Sequence, residues 1–252
     1  MRRVTIFLFL ILLIAIDLQA QENHEKYLEG VELYNNGDFR AAAEIWSDIN
    51  DAGYDNFELF YNLGNAWFKL NEIPMAILFY ERALLRRPGD EDTRYNLAIA
   101  NTLTKDRFES IPRIFIVRWF DRASLAISSD LWAIISATAF ILTLLMTLFF
   151  LFLSRYNLKV ISFWLSLLFF IASVSSITFS FRSRKLVYNS DEAIIISPVV
   201  TGRSTPSEGG NELFVIHAGL KVKTGEKIGE WTEIQLPDGN KGWVTVASLE
   251  KI

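Results

Sequence analysis

The sequence has no cysteine. That excludes a disulfide framework, thiolate metal sites and a cysteine nucleophile. Histidine is nearly as scarce: there are two, His24 and His217, placed far apart in segments of different character. They give little support to a histidine triad or a zinc site. A phosphate-cradling loop is also missing, because Thr224-Gly225-Glu226-Lys227 lacks P-loop spacing. The acidic triplet Asp90-Glu91-Asp92 reads as a helix start rather than a carboxylate pair in a cleft. No catalytic, cofactor-binding or metal-binding residue is assigned, and the chain reads as a non-enzyme with no cofactor.

Charge is absent from three runs, and their lengths decide the class. They are Val4–Ile16, Leu131–Leu153 and Val160–Phe181, and they hold 11 of the 20 phenylalanines. A single soluble globule is excluded. So is a polytopic transporter, since two long spans enclose little of a pathway. The first run follows Arg2 and Arg3 and suits the h-region of a signal peptide over 1–20, cleaved after Ala20; an uncleaved anchor is the alternative. The other two are long enough to cross a ~30 Å hydrocarbon core. They are expected as transmembrane helices over 131–153 and 160–181, joined by a cytoplasmic turn at 154–159. Arg155 and Lys159 at the turn agree with the positive-inside rule. Arg113, Arg118 and Arg122 before the pair, and Arg182, Arg184 and Lys185 after it, disagree. The signal peptide takes precedence, because it directs the first translocation; residues 21–130 and the C-terminal tail are then both outside the cytoplasm. The segment 111–130 mixes arginine with Trp119 and Phe120. It reads as a juxtamembrane interfacial segment or as a helix capping the preceding domain.

Between the signal and the first span the sequence repeats with a period of 34 residues. Gly30, Gly64 and Ala98 are related by it, as are Ala42 and Ala76, and Trp46 and Tyr80. The fullest copy runs Gly64, Trp67, Ala76, Tyr80, Ala83, Pro88. Small residues sit where two helices approach, aromatics fill between them, and Pro88 ends the second helix. Asn36-Gly37-Asp38 and Asn71-Glu72-Ile73-Pro74 mark the turns. A third copy starts at Glu91 and fades near Phe108. Residues 21–110 resemble a tetratricopeptide repeat domain. The resemblance implies a helical array that binds a peptide or protein on a concave face, here formed by Tyr27, Tyr34, Tyr61, Asn62, Asn65, Phe68, Lys69, Tyr95 and Asn96. The basic clamp for a C-terminal carboxylate is not matched, since Tyr61 and Asp92 stand at two of its places. With 9 Lys/Arg against 17 Asp/Glu over 21–110, this region does not favour nucleic acid.

After the second span the pattern changes to short β-branched runs broken by Gly, Pro and Asp238-Gly239. A small closed β-barrel is expected, with Gly219, Gly239 and Gly242 in tight turns, Trp231 in the core and Trp243 in a shallow groove. Residues 190–252 resemble a bacterial SH3 domain on the runs Arg203-Ser-Thr-Pro-Ser, Leu213-Phe-Val-Ile-His-Ala-Gly, Trp231-Thr-Glu-Ile-Gln-Leu-Pro-Asp-Gly and Gly242-Trp-Val. The resemblance implies an SH3-like β-barrel whose ligand face holds Arg203, Glu230 and Trp243, with peptide or peptidoglycan as ligand.

Taken whole, the fold class is multidomain α plus β: a helical repeat array, a transmembrane hairpin and a small barrel. This order resembles the BatE-type family of bacterial aerotolerance operons. The family implies a scaffold in the inner membrane, both soluble parts periplasmic, with the other Bat proteins, several carrying von Willebrand factor A domains, as partners in oxidative-stress tolerance. The alternative is a cell-wall sensor or targeting module acting through the SH3-like tail.

Overall fold

The computed structural model describes residues 21–108, 114–188 and 191–252. The expected signal peptide (1–20) and the start of the expected interfacial segment (111–113) lie outside them. The described residues fall into two compact bodies. One comprises 21–84, 90–108 and 192–252; the other comprises 85–89, 114–188 and Asp191.

The first body begins with five helices: α1 (21–35), α2 (Phe39–Asp51), α3 (Phe57–Lys69), α4 (Ile73–Arg86) and α5 (Glu91–Thr102). Their ends repeat with the 34-residue period seen in the sequence. α1 closes with Asp38 N–H donating to Leu33 O, and α3 with Glu72 N–H donating to Trp67 O, both at 2.9 Å. Each closure needs one left-handed residue, supplied by Gly37 (φ 85°) and by Asn71 (φ 61°). Starts repeat as well: Asn56 caps α3 and Asp90 caps α5, each accepting a backbone N–H at 2.8 Å. The close approaches obey the same period. A Cβ on Gly30 would lie 2.3 Å from Trp46, and one on Gly64 would lie 2.5 Å from Tyr80. Glycine is thus what lets each buried aromatic cross the preceding helix. Ala42, Ala43, Ala76, Ala83, Leu63 and Ile77 complete the core. Ala98, at the third position of the series, is exposed; α5 has no following helix to pack there among the described residues.

The same body ends in a seven-stranded antiparallel sheet: β1 (Glu192–Ile195), β2 (Val199–Arg203), β3 (Glu212–His217), β4 (Lys221–Ile228), β5 (Trp231–Gln235), β6 (Lys241–Thr245) and β7 (Leu249–Lys251). Spatial order is β3-β2-β6-β5-β4-β1-β7. The sheet is open, which corrects the expectation of a closed barrel. Its two edges are blunted by the helical part instead. The backbone N–H of His217, on edge strand β3, donates to Asp106 Oδ2 at 2.5 Å. On edge strand β7, Arg82 donates to the Lys251 carbonyl and pairs with Glu250 at 3.1 Å. Edges covered in this way do not need barrel closure to avoid stray pairing. Two further expectations change. Trp231 is only partly buried and lies outside the sheet's core of Ala193, Ile195, Val200, Ile216, Val222, Ile234 and Val244. Gly242 is not a turn residue: it sits in β6, where a Cβ would come within 2.9 Å of the Phe214 ring.

The second body holds α6 (Phe115–Ser124), α7 (Ser129–Phe152) and α8 (Tyr156–Tyr188). α7 and α8 are long and apolar enough to cross a membrane, each holding an 18-residue stretch of high mean hydropathy, 2.4 in α7 and 2.1 in α8. The link between them is shorter than expected, since α8 starts at Tyr156 and extends past the apolar run to Tyr188. Their polarity is inverted relative to a soluble core. Ser136, Ala139 and Thr143 of α7 and Ser162, Ser173 and Ser176 of α8 are buried, while Leu144, Leu148, Phe149, Leu168, Phe170 and Ile171 face outward. Ser136 and Ser173 exchange hydroxyl-to-carbonyl bonds at 2.9 and 3.0 Å. Thr147 and Ser166 meet at 2.8 Å. Small, mutually bonded residues let helices approach closely where no hydrophobic drive acts between them. α6 belongs to this body: its Asp121 pairs with Arg182 of α8 at 2.7 Å, and Phe120 lies 5.0 Å from Phe179.

Gly64→Ala is expected to destabilise the first body by about 1–3 kcal/mol, the usual cost of overpacking. Urea unfolding of the full-length protein in detergent measures it. An unchanged midpoint contradicts the close approach of α3 and α4.

Candidate functional site

The face expected to bind partners is carried by α1, α3 and α5, and the structure divides its nine residues into three groups. Tyr27, Asn62, Asn65 and Asn96 bond across helices. Asn62 Nδ2 donates to the Tyr27 hydroxyl at 2.8 Å, and Asn65 Oδ1 accepts from Asn96 Nδ2 at 3.1 Å and from the Tyr80 hydroxyl at 2.8 Å. These amides hold adjacent helices in register, so only their remaining atoms are available to a ligand. Tyr34 and Phe68 pack against the helical core; the Tyr34 ring lies 5.0 Å from Phe39 and 5.9 Å from Trp46. Lys69 and Tyr95 reach outward, whereas Tyr61 is half-buried and also packs against the helical core. Tyr61 stacks on Phe57 at 5.9 Å, Lys69 is exposed, and Tyr95 is 68% exposed. Burial pushes the Tyr80 hydroxyl well above the ordinary tyrosine range, which keeps it a donor to Asn65. Burial likewise raises Tyr27 and Tyr34.

The repeat-signature residues serve packing. Gly30, Ala42, Gly64, Ala76, Tyr80 and Ala83 are buried, Trp67 is partly buried, and Pro88 follows the end of α4.

On the sheet, Arg203 and Trp243 are directly paired across β2 and β6. Arg203 donates to the Gly210 carbonyl at 3.0 Å, so it braces the loop after β2. Glu230 sits exposed in the β4–β5 turn, where its carbonyl accepts from Val246 N–H at 2.8 Å.

Helices and sheet also meet in a junction that sequence reasoning missed. Ile194 of β1 belongs to the helical core, and Ile252 packs against the same cluster. Its neighbours Ala193 and Ile195 belong to the sheet core. β1 is therefore buried on both faces. Lys221 Nζ bridges Glu81 at 2.9 Å and Glu192 at 2.8 Å. Burial works against its ammonium, but the two carboxylates outweigh that and hold its pKa above the ordinary lysine value. At the far side, His217 Nδ1 lies 2.8 Å from Asp106 Oδ1 and its Nε2 lies 2.8 Å from Lys105 Nζ. An ammonium has only donors, so Nε2 accepts and Nδ1–H donates to Asp106. The signal that existed was the unbroken run Ile194-Ile195-Ile196, which a strand with one wet face does not need.

Among the described residues, no group of three or more His, Asp or Glu gathers as a metal site. No family model matches the chain, and no curated protein matches it.

The raised Lys221 contributes stability that is complete below the free-lysine value of 10.5 and is lost as pH rises through its folded pKa. Urea titrations of full-length protein at stepped alkaline pH are expected to show a loss above about pH 10.5 that is smaller in Lys221→Met. The raised tyrosines add alkaline loss to both proteins, so the difference reports Lys221. Identical pH profiles contradict the bridge.

Proposed function

We propose that this chain is a membrane-anchored interaction scaffold of the bacterial cell envelope. The carrying observation is the inverted hairpin set against a single body built from both flanking segments. α7 and α8 bury hydroxyls and expose large apolar side chains, which suits a lipid solvent rather than water. Residues 21–108 and 192–252 flank that hairpin, yet they share one body. That supports both ends of the hairpin lying on one side, as two crossings require. It does not depend on counting charges; the choice of the periplasmic side rests on the expected signal peptide alone. α6 exposes Phe115, Ile116 and Trp119 with Arg118 beside them. This supports the interfacial reading of the juxtamembrane segment over a cap on the preceding domain.

The recognition surface in this reading is the tetratricopeptide-like face carrying Tyr61, Lys69 and Tyr95. Its acidic setting favours a partner with a basic surface. The resemblance to BatE-type proteins makes the other Bat proteins, with von Willebrand factor A domains, the first candidates. A second reading, peptidoglycan recognition by an SH3-like tail, is favoured by the pairing of Arg203 with Trp243.

Envelope pull-down with full-length protein in detergent is expected to retain a membrane protein carrying such a domain. Tyr61→Ala with Tyr95→Ala is expected to weaken retention about tenfold, as loss of aromatic anchors does. No retained protein at low salt counts against the scaffold. Co-sedimentation with purified sacculi, abolished by Trp243→Ala, would transfer the function to the sheet.

A further inference from the structure

The second body contains a cavity of about 210 Å3 at the end of the hairpin opposite its turn. One wall is Arg86 and Arg87, and the other is the start of α7 at Ser128, Ser129 and Asp130. Tyr188 closes it, with the Arg86 guanidinium 4.9 Å from the centre of its ring. That stacking fixes the orientation of one cation. Each guanidinium has five N–H donors, so an added anion joins existing partners rather than displacing them. The first turn of α7, which also lines the cavity, adds partial positive charge to it. Asp130 supplies the opposite sign.

Depth matters as much as charge. The charge-free run of α8 ends at Phe181, and Tyr188 lies one to two turns further along the same helix. At 1.5 Å per residue the lining residues Ser183 and Tyr188 lie about 3 and 10 Å past that run, which brackets a headgroup layer about 5–8 Å deep. Leu125 and Val187 line the cavity as well, so its wall is part apolar.

We propose that this cavity binds the headgroup of a zwitterionic aminophospholipid, with the phosphate on Arg86 and Arg87 and the ammonium on Asp130. This rests on the reading that α7 and α8 span a bilayer. A headgroup without the ammonium leaves Asp130 facing a phosphate, so the site discriminates among lipids rather than merely attracting anions.

The test uses full-length protein reconstituted in vesicles of equal phosphatidylethanolamine and phosphatidylglycerol, released in mild detergent and examined by native mass spectrometry. Wild type is expected to retain phosphatidylethanolamine over phosphatidylglycerol by about tenfold, within the range of a charge-assisted hydrogen bond. Arg86→Gln with Arg87→Gln is expected to lose the retained lipid. Asp130→Asn is expected to keep lipid but lose the preference, a readout that does not depend on the arginine variant folding. Equal retention of both lipids by wild type, or unchanged retention by the arginine variant, overturns the proposal. Retention of O-phosphoethanolamine by protein that keeps neither lipid overturns the lipid assignment in favour of a soluble phosphomonoester. Alkaline extraction of the same vesicles separates the two readings: release of the protein removes the membrane reading, whereas a pelleted protein without lipid preference removes only this inference.

Discussion

The two halves of the first body share a four-residue strand. β1 sends Ile194 into the helical core and Ala193 and Ile195 into the sheet core. A strand buried on both faces cannot leave either neighbour without exposing apolar side chains, and each buried isoleucine is worth about 1.5–3 kcal/mol. Lys221 secures the same place electrostatically, between Glu81 of α4 and Glu192 of β1. This half-buried ammonium stays charged because two carboxylates stand in for part of its hydration. The edges of the sheet follow from this docking. Arg82 and Asp106 reach β7 and β3 only because the helices already lie against the sheet.

This arrangement has a topological consequence. The helical repeats and the sheet are separated in sequence by the whole hairpin, yet they fold together. A chain that crosses a bilayer twice can do that; one that crosses once cannot. The hairpin in turn needs no soluble partner, because Ser136, Ser173, Thr147 and Ser166 satisfy one another inside it. The two bodies are therefore built by separate physical rules: apolar burial in the first, and small-residue approach with hydroxyl pairing in the second.

What could be read in advance follows the range of the interaction involved. Periodicity is local, so the 34-residue spacing of Gly30 and Gly64 with Trp46 and Tyr80 indicated the helix contacts that the structure contains. Hydropathy is local too, and it places both ends of α7 to within a turn, but it does not register the charged extension of α8 to Tyr188. The tail was harder. Closing or opening a sheet depends on what lies beyond its edges, and the covering residues Arg82 and Asp106 are more than a hundred residues away in sequence. Gly242 reads as a turn residue in sequence because glycine has two uses, backbone freedom and close approach, and only the neighbouring Phe214 ring tells them apart. The amides of Asn62, Asn65 and Asn96 were recognised as one face, but their commitment to Tyr27 and Tyr80 required knowing which helices are adjacent.

The docking of helices and sheet into one body is the claim on which the topology and the scaffold reading both rest. Hydrogen exchange on full-length protein carrying Ile194→Ala addresses it most directly, because that side chain is the only part of β1 assigned to the helical core. Faster exchange in α4 as well as in β1 is the outcome of a shared core. Acceleration confined to the strands, with α4 unchanged, would contradict it.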